Sequence, residues 1–154
     1  MKYWVILLSV FGIDRISKNW VQKKLSLGSR KEVWKDRLYF RHIKNKGIAY
    51  NTLEENPKAV LRMTGILMGI GFLQFLRLLH QKKSPALLTS LACMLGGALG
   101  NFWERANTGW VTDFLYIPFR KAPIFNVADI AIVLGGICTI PFAWLAERSN
   151  VKEM

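Results

Sequence analysis

The residues best suited to chemistry in this chain are two aspartates, three asparagines and one arginine, all at the borders of long apolar runs. Asp113 stands in G-W-V-T-D-F at 109–114 and Asp129 in F-N-V-A-D at 125–129. Asn101 and Arg105 close the stretch L-G-G-A-L-G-N-F-W-E-R at 95–105, Asn126 precedes Asp129, and Asn45 opens N-K-G-I-A-Y at 45–50. Hydrocarbon makes unpaired charge costly, so such groups rarely sit there for packing alone. Asp113 and Asp129 are sixteen residues apart, one ahead of a short proline-containing loop and one at the mouth of the last apolar segment. If that loop folds back, the carboxylates meet. Two carboxylates in a partly dry site cannot both ionise cheaply and tend to share one proton. The ionised member can then activate water while the protonated one donates to a carbonyl oxygen, as in aspartic proteases.

No other set in the sequence competes. His42 and His80 are far apart, and Cys93 and Cys138 lie inside apolar runs, so neither a metal site nor a thiol nucleophile stands out. Ser17 and Lys18 are adjacent and would diverge on a helix, which argues against a Ser-Lys dyad. Taken singly, Asp113 reads equally well as a loop carboxylate and Asp129 as a helix N-cap. Asn101 and Asn126 read as capping amides and Arg105 as a snorkelling residue until the segments are considered together.

The elements that position these residues are written in the distribution of charge. The chain is 51% hydrophobic and 21% charged, yet residues 86–103 and 130–146 contain no charge at all. Those lengths approach the roughly 20 residues that cross a bilayer. Two further runs are interrupted: Tyr3 to Val21 by Asp14, Arg15 and Lys18, and Met63 to Leu79 by Gln74 and Arg77. The pattern predicts a membrane α-helical fold in one domain, with four transmembrane helices at about 3–22, 60–79, 85–103 and 127–146. The first run makes a poor cleavable signal peptide, with only Lys2 ahead of it and Asp14-Arg15 where a small-residue site belongs. Asp14 and Lys18 are four apart and can pair on an inward helix face. Gly65 and Gly69, then Gly96 and Gly100, offer small faces for close helix contact.

Residues 23–59 are polar, basic and too long for a turn. K-E-V-W-K-D-R-L-Y-F-R-H-I at 31–43 alternates loosely, which predicts a small β-sheet outside the membrane between helices one and two, with Trp34, Tyr39, Phe40 and Tyr50 as interface anchors. The net charge of +12 raises nucleic acid as a partner, but the bases flank membrane runs and form no recognised module. Membrane phospholipid of anionic character fits better. With both termini on the side of the 80–84 turn, that side carries Lys2, Lys82, Lys83, Arg148 and Lys152, against thirteen Lys and Arg in the two opposite loops. The positive-inside rule applied to those loops places the large one in the cytoplasm.

Five spaced motifs, D-x-x-x-K at 14–18, N-x-G-x-A-Y at 45–50, G-G-A-L-G-N-x-x-E-R at 96–105, G-x-V-x-D-F at 109–114 and F-N-V-A-D at 125–129, run in order over almost the whole chain. Together they resemble lipoprotein signal peptidase, or signal peptidase II. The resemblance implies a four-helix bacterial inner-membrane aspartyl endopeptidase with an extracytoplasmic β-cradle and its active site near that face, opposite to the charge rule. It implies removal of signal peptides from diacylglyceryl-modified prolipoproteins, cutting before the lipidated cysteine. No metal or organic cofactor is implied, a monomer is expected, and cyclic depsipeptide inhibitors of the globomycin type become plausible ligands. By match of motif, Asp113 and Asp129 form the catalytic dyad, Asn45, Asn101, Arg105 and Asn126 line the site, and Asp14 and Lys18 support it. Two positions depart from the family pattern: Glu104 where Asp is usual, expected to keep a pairing near Arg105, and Tyr50 where Phe is usual. Against the peptidase stand a non-catalytic homologue that binds a peptide or antibiotic, of resistance or immunity type, and a small proton-coupled transporter.

Overall fold

The structure, a computed structural model, describes residues 1–48, 52–119 and 122–151. Four helices carry the chain: α1 Lys2–Lys24, α2 Pro57–His80, α3 Pro85–Thr108 and α4 Val127–Val151. Local signals set their ends. Pro57 and Pro85 occupy first-turn positions, where a missing N–H costs nothing, and the Asn56 side chain accepts the Ala59 N–H at 3.1 Å. Gly109, at φ 83°, ends α3 in the left-handed conformation that suits glycine.

Helices α2, α3 and the Val127–Ala146 part of α4 are each long and apolar enough to cross a membrane. The 23-residue α1 is not among them, because Asp14, Arg15 and Lys18 fall in its middle. The bundle is apolar on the outside: Ile16, Ile66, Leu67, Ile70, Leu73, Ile137 and Ile140 are all exposed. Its interior divides in two. Leu7, Phe75, Leu87, Leu88, Leu91, Ala92 and Leu95 form an apolar core at the α3 N-terminal half. Toward the other end the buried side chains include the polar Asp14, Lys18, Glu104, Arg105, Thr112, Asp113 and Asn126, beside Val21, Val111, Phe114 and Ala128.

Helix α3 is the axle, packed against the other three helices. The small face at Gly96 and Gly100 lies against α1, where a Cβ on Gly96 would stand 2.6 Å from the Leu7 carbonyl oxygen. Gly97 serves α4 in the same way, at 2.5 Å from the Ala128 carbonyl oxygen. The Gly65/Gly69 spacing is half used, since Gly65 meets Phe102 and Gly69 meets nothing.

A three-stranded antiparallel sheet of order β1-β2-β3 closes the polar end, formed by β1 Arg30–Trp34, β2 Leu38–Asn45 and β3 Val111–Tyr116. Its third strand corrects the sequence expectation, which confined the sheet to 23–59 and left Asp113 beside a loop. A bulge in β2 shifts the register between Phe40 and Ile43, and Ile43 then pairs with Asp113. Trp34 is exposed as an interface residue would be, whereas Phe40 packs between Trp20 and Phe114. Tyr50 lies outside the described residues.

Candidate active site

The fold-back that joins the two aspartates is made by backbone. Leu115 and Phe125 exchange hydrogen bonds of 2.7 and 3.0 Å, which lays the chain entering α4 beside β3. Asn126 then sits at the start of α4 and Asp129 in its first turn. The Asn126 side-chain oxygen accepts the Asp129 N–H at 3.0 Å, and Asp129 Oδ2 accepts the Asn126 N–H at 3.0 Å, a reciprocal capping box. The other end of the Asn126 amide donates to Asp113 Oδ1 at 2.7 Å. One amide therefore bridges the two acidic residues.

Each carboxylate has a further amide donor. Asn45 Nδ2 donates to Asp113 Oδ2 at 2.9 Å, and Asn101 Nδ2 donates to Asp129 Oδ1 at 2.8 Å. Burial and the neighbouring Asp129 charge together push the Asp113 carboxyl up to about 7, despite the Asn45 and Asn126 donors that favour its charged form. Asp113 thus titrates in the range where a carboxylic acid can serve as a proton donor.

Behind the pair lies a buried ion cluster. Lys18 Nζ donates to Asn101 Oδ1 at 2.7 Å and stands 2.8 Å from Asp14 and 3.3 Å from Glu104, with all three charged side chains at 0–1% exposure. Asp14 Oδ1 also accepts the Ala128 N–H at 3.0 Å, capping α4 from a residue 114 positions away. Glu104 keeps a structural pairing near Arg105, made with Lys18 and not with Arg105 itself. Neighbouring helical residues point about 100° apart, and Glu104 turns to Lys18, the Thr112 N–H and hydroxyl at 3.1 and 2.7 Å, and Gln22 at 3.0 Å. It therefore ties the strand carrying Asp113 to α3. Arg105 faces the other way and donates from Nη2 to the Gly47 carbonyl at 2.9 Å, while Asn45 Oδ1 accepts the Gly47 N–H at 2.9 Å. Arg105 thereby fixes the turn that aims Asn45 at Asp113.

These groups meet at a cavity of about 1150 Å³. Asn45, Asn101, Arg105, Asp113 and Asp129 line its polar end, and Leu67, Met68, Met94, Leu95, Val133 and Leu134 its apolar flank. Of the residues expected from sequence, Asn126, Asp14 and Lys18 are not in the wall but stand behind it. Sequence reading missed Gln22 and Thr112, whereas Gly47 was marked by its place in N-x-G-x-A-Y. Gln22 had a signal, since it continues the Asp14-Lys18 spacing by another four residues onto the same face. Thr112 had none, being recruited through tertiary contacts. Among the described residues no group of three or more His, Cys, Asp or Glu is placed to hold a metal ion.

Comparison with known proteins agrees over nearly the whole length. The family described as Signal peptidase (SPase) II matches residues 6–145. Lipoprotein signal peptidases of Streptococcus agalactiae serotype V and Enterococcus faecalis are 30% and 34% identical over 146 and 147 residues. Those alignments span 95% and 96% of this chain and 93% and 90% of theirs. Two bacterial membrane enzymes solved by the in meso method, at 2.3 and 1.9 Å, superimpose with TM-scores of 0.83 and 0.75 at 26% and 25% identity. They cover 99% and 90% of this chain, which in turn covers 93% and 90% of theirs. With its polar groups turned inward, its apolar helices outward and this match from end to end, the chain belongs to the signal peptidase II family of multi-pass bacterial membrane peptidases.

Proposed function

We propose that this peptidase is an aspartyl endopeptidase that cuts diacylglyceryl-modified prolipoproteins immediately before the lipidated cysteine, with Asp113 and Asp129 as its dyad. The observation that carries the proposal is the Asn126 amide, held between the two aspartates where both face one cavity. Asp129 is the ionised member, complemented by the Lys18 ammonium across the Asn101 amide, and Asp113 carries the proton. Asp129 takes a proton from water as its oxygen attacks the scissile carbonyl, and Asp113 protonates the carbonyl oxygen. Collapse of the resulting diol returns that proton to Asp113 and delivers the Asp129 proton to the leaving nitrogen, breaking the C–N bond. Asn45, Asn101 and Arg105 present donors along the cavity wall for the extended substrate backbone.

Helix α1 is the fourth span in this reading. Its Asp14 and Lys18 are fully buried against α3 and α4, while Leu8, Ile13 and Ile16 face outward, so the surface it shows to lipid is mainly apolar, with Arg15 half-buried at its middle. The sheet and active site lie at the extracytoplasmic face of the inner membrane. The length of the segment between α1 and α2 and the pairing of β1 with β2 within it weaken the positive-inside rule there, since it is best obeyed by short loops. Acyl chains enter sideways along Leu67, Val133 and Leu134, and cyclic depsipeptides of the globomycin type occupy the same cavity. A monomer contains the whole site.

The test is cleavage of a diacylglyceryl prolipoprotein reporter by the purified chain in detergent, with chelator present and no proton gradient. Mass spectrometry should find a product beginning at the lipidated cysteine. Intact reporter, or a cut at another bond, would refute the assignment.

A further inference from the structure

Beside the cavity mouth the sheet does something that needs an explanation. Arg30 of β1 and Arg41 of β2 are direct cross-strand partners, so their side chains share one face of the sheet. Like charges directly opposite each other are unfavourable in an antiparallel pair. Among the described residues no carboxylate lies within ion-pair distance of either guanidinium; the pairs that form are those of Lys18. Two carboxylates are near in the strand pairing. Glu32, opposite Tyr39, is engaged with the Asp36 N–H at 2.9 Å, and Asp36 accepts from the Tyr39 hydroxyl at 3.5 Å. The Arg30 guanidinium lies 3.5 Å from the Tyr39 ring centroid and 5.5 Å from that of Tyr116, which holds it in place while leaving its N–H edge free.

Tyr116 and Asp113, three residues apart on β3, point to opposite faces of the sheet, and the cavity reaches residues of both. Arg41 and Tyr116 both line the cavity that holds Asp113 and Asp129. From that mouth the wall continues over Leu67, Val133 and Leu134, which are lining residues and at the same time exposed on the outer surface of α2 and α4. A molecule that fits has an anionic oxygen group at one end and acyl chains at the other. We propose that Arg30 and Arg41 form a binding site for the phosphodiester of an anionic phospholipid, whose acyl chains lie along the apolar flank of the cavity when no substrate is bound. A planar guanidinium pair suits phosphate oxygens better than a single ammonium does, and basic pockets between membrane helices are known to take phospholipid head groups. The bound lipid contests the acyl-chain groove with the lipid-modified substrate, so it acts as a competitive resident.

The inference rests on the outward apolar faces being lipid-facing but not on the dyad, and its binding readout uses Asp129→Asn so that a failure of catalysis leaves it measurable. Full-length Asp129→Asn in nanodiscs is exchanged with spin-labelled phosphatidylglycerol or phosphatidylcholine, with and without Arg30→Gln plus Arg41→Gln. Phosphatidylglycerol should be retained about tenfold more tightly than phosphatidylcholine, and the double substitution should erase that difference. Displacement of the label by inorganic phosphate would identify the head group alone as the recognised element. Retention insensitive to phosphate would identify the whole lipid. In the active enzyme, phosphatidylglycerol should raise KM for the prolipoprotein reporter without lowering kcat. Equal retention of the two lipids, retention unaffected by the arginine substitutions, or arginine-dependent capture of an acidic peptide with no effect of either phosphate source would each overturn the proposal.

Discussion

Replacing Lys18 by methionine probes how the buried cluster serves the site. Among the described residues the ammonium is the single cation within ion-pair distance of both Asp14 and Glu104, and all three side chains are sealed from solvent. Methionine keeps most of the volume and removes the charge, which leaves two buried carboxylates facing each other. Breaking a buried pair by deleting one partner costs about 3–5 kcal/mol, and for a chain of this length that is a fall in melting temperature on the order of 10 °C. Lys18→Met also takes the shorter of the two donors from Asn101 Oδ1 and leaves Asn126 Nδ2 at 3.2 Å, so the amide that holds Asp129 at 2.8 Å is less firmly fixed. A misplaced catalytic group loses about 10- to 100-fold in rate. The two effects separate in the triple variant Lys18→Met, Asp14→Asn, Glu104→Gln, which buries no unpaired charge. Thermal unfolding in detergent should show most of the lost stability regained, while turnover of the reporter stays low. If Lys18→Met melted and turned over within about twofold of the parent, or if the triple variant regained full turnover, Lys18 would be a structural counter-ion with no part in positioning Asp129.

Asp113 gives a pH dependence with a definite sign. Its carboxyl is raised from 3.8 to about 7, so protonated Asp113 favours the folded state. That stabilisation is complete below about 4 and is lost as pH rises through about 7, with an upper bound of about 4 kcal/mol. Unfolding scans should show the parent losing more stability than Asp113→Asn between those limits, and parallel curves would contradict the shift. For the same reason kcat should decline as pH rises through about 7, as the proton donor is lost. Gly97→Ala drives a methyl against the Ala128 carbonyl and Gly100→Ala drives one into the Asp14 carboxylate, so each should cost about 1–3 kcal/mol and displace the start of α4. Gly12→Ala, which meets nothing within 4 Å, is the matched control and should leave the melting temperature unchanged.

The sequence made the chemistry more legible than the architecture that holds it. Asp113, Asp129, Asn101 and Arg105 could be singled out because carboxylates, amides and guanidinium groups at apolar borders are costly without partners. Their partners were not legible, because they are set by packing across the chain: Ala128 to Asp14, Gly47 to Arg105, Thr112 to Glu104. The strand Val111–Tyr116 does not stand out in the sequence, where Thr112-Asp113 breaks its apolar pattern ahead of the proline-containing loop. Its pairing partner β2 begins at Leu38, far away in sequence. Helix α3 is expected over about 85–103, the extent of its charge-free run. It continues to Thr108, with both charges turned inward to waiting partners. Glu104 also shows what a local reading misses in the other direction, since its neighbour in sequence is not its partner in space.

The most direct measurement is turnover of the diacylglyceryl prolipoprotein reporter by purified Asp113→Asn and Asp129→Asn, each first shown by its melting curve to be folded. Both substitutions keep the side chain's size and remove the capacity to share a proton. Each should reduce turnover to the uncatalysed background. Parent-like turnover by either folded variant would contradict the shared-proton dyad and require the bond to be cut by other groups.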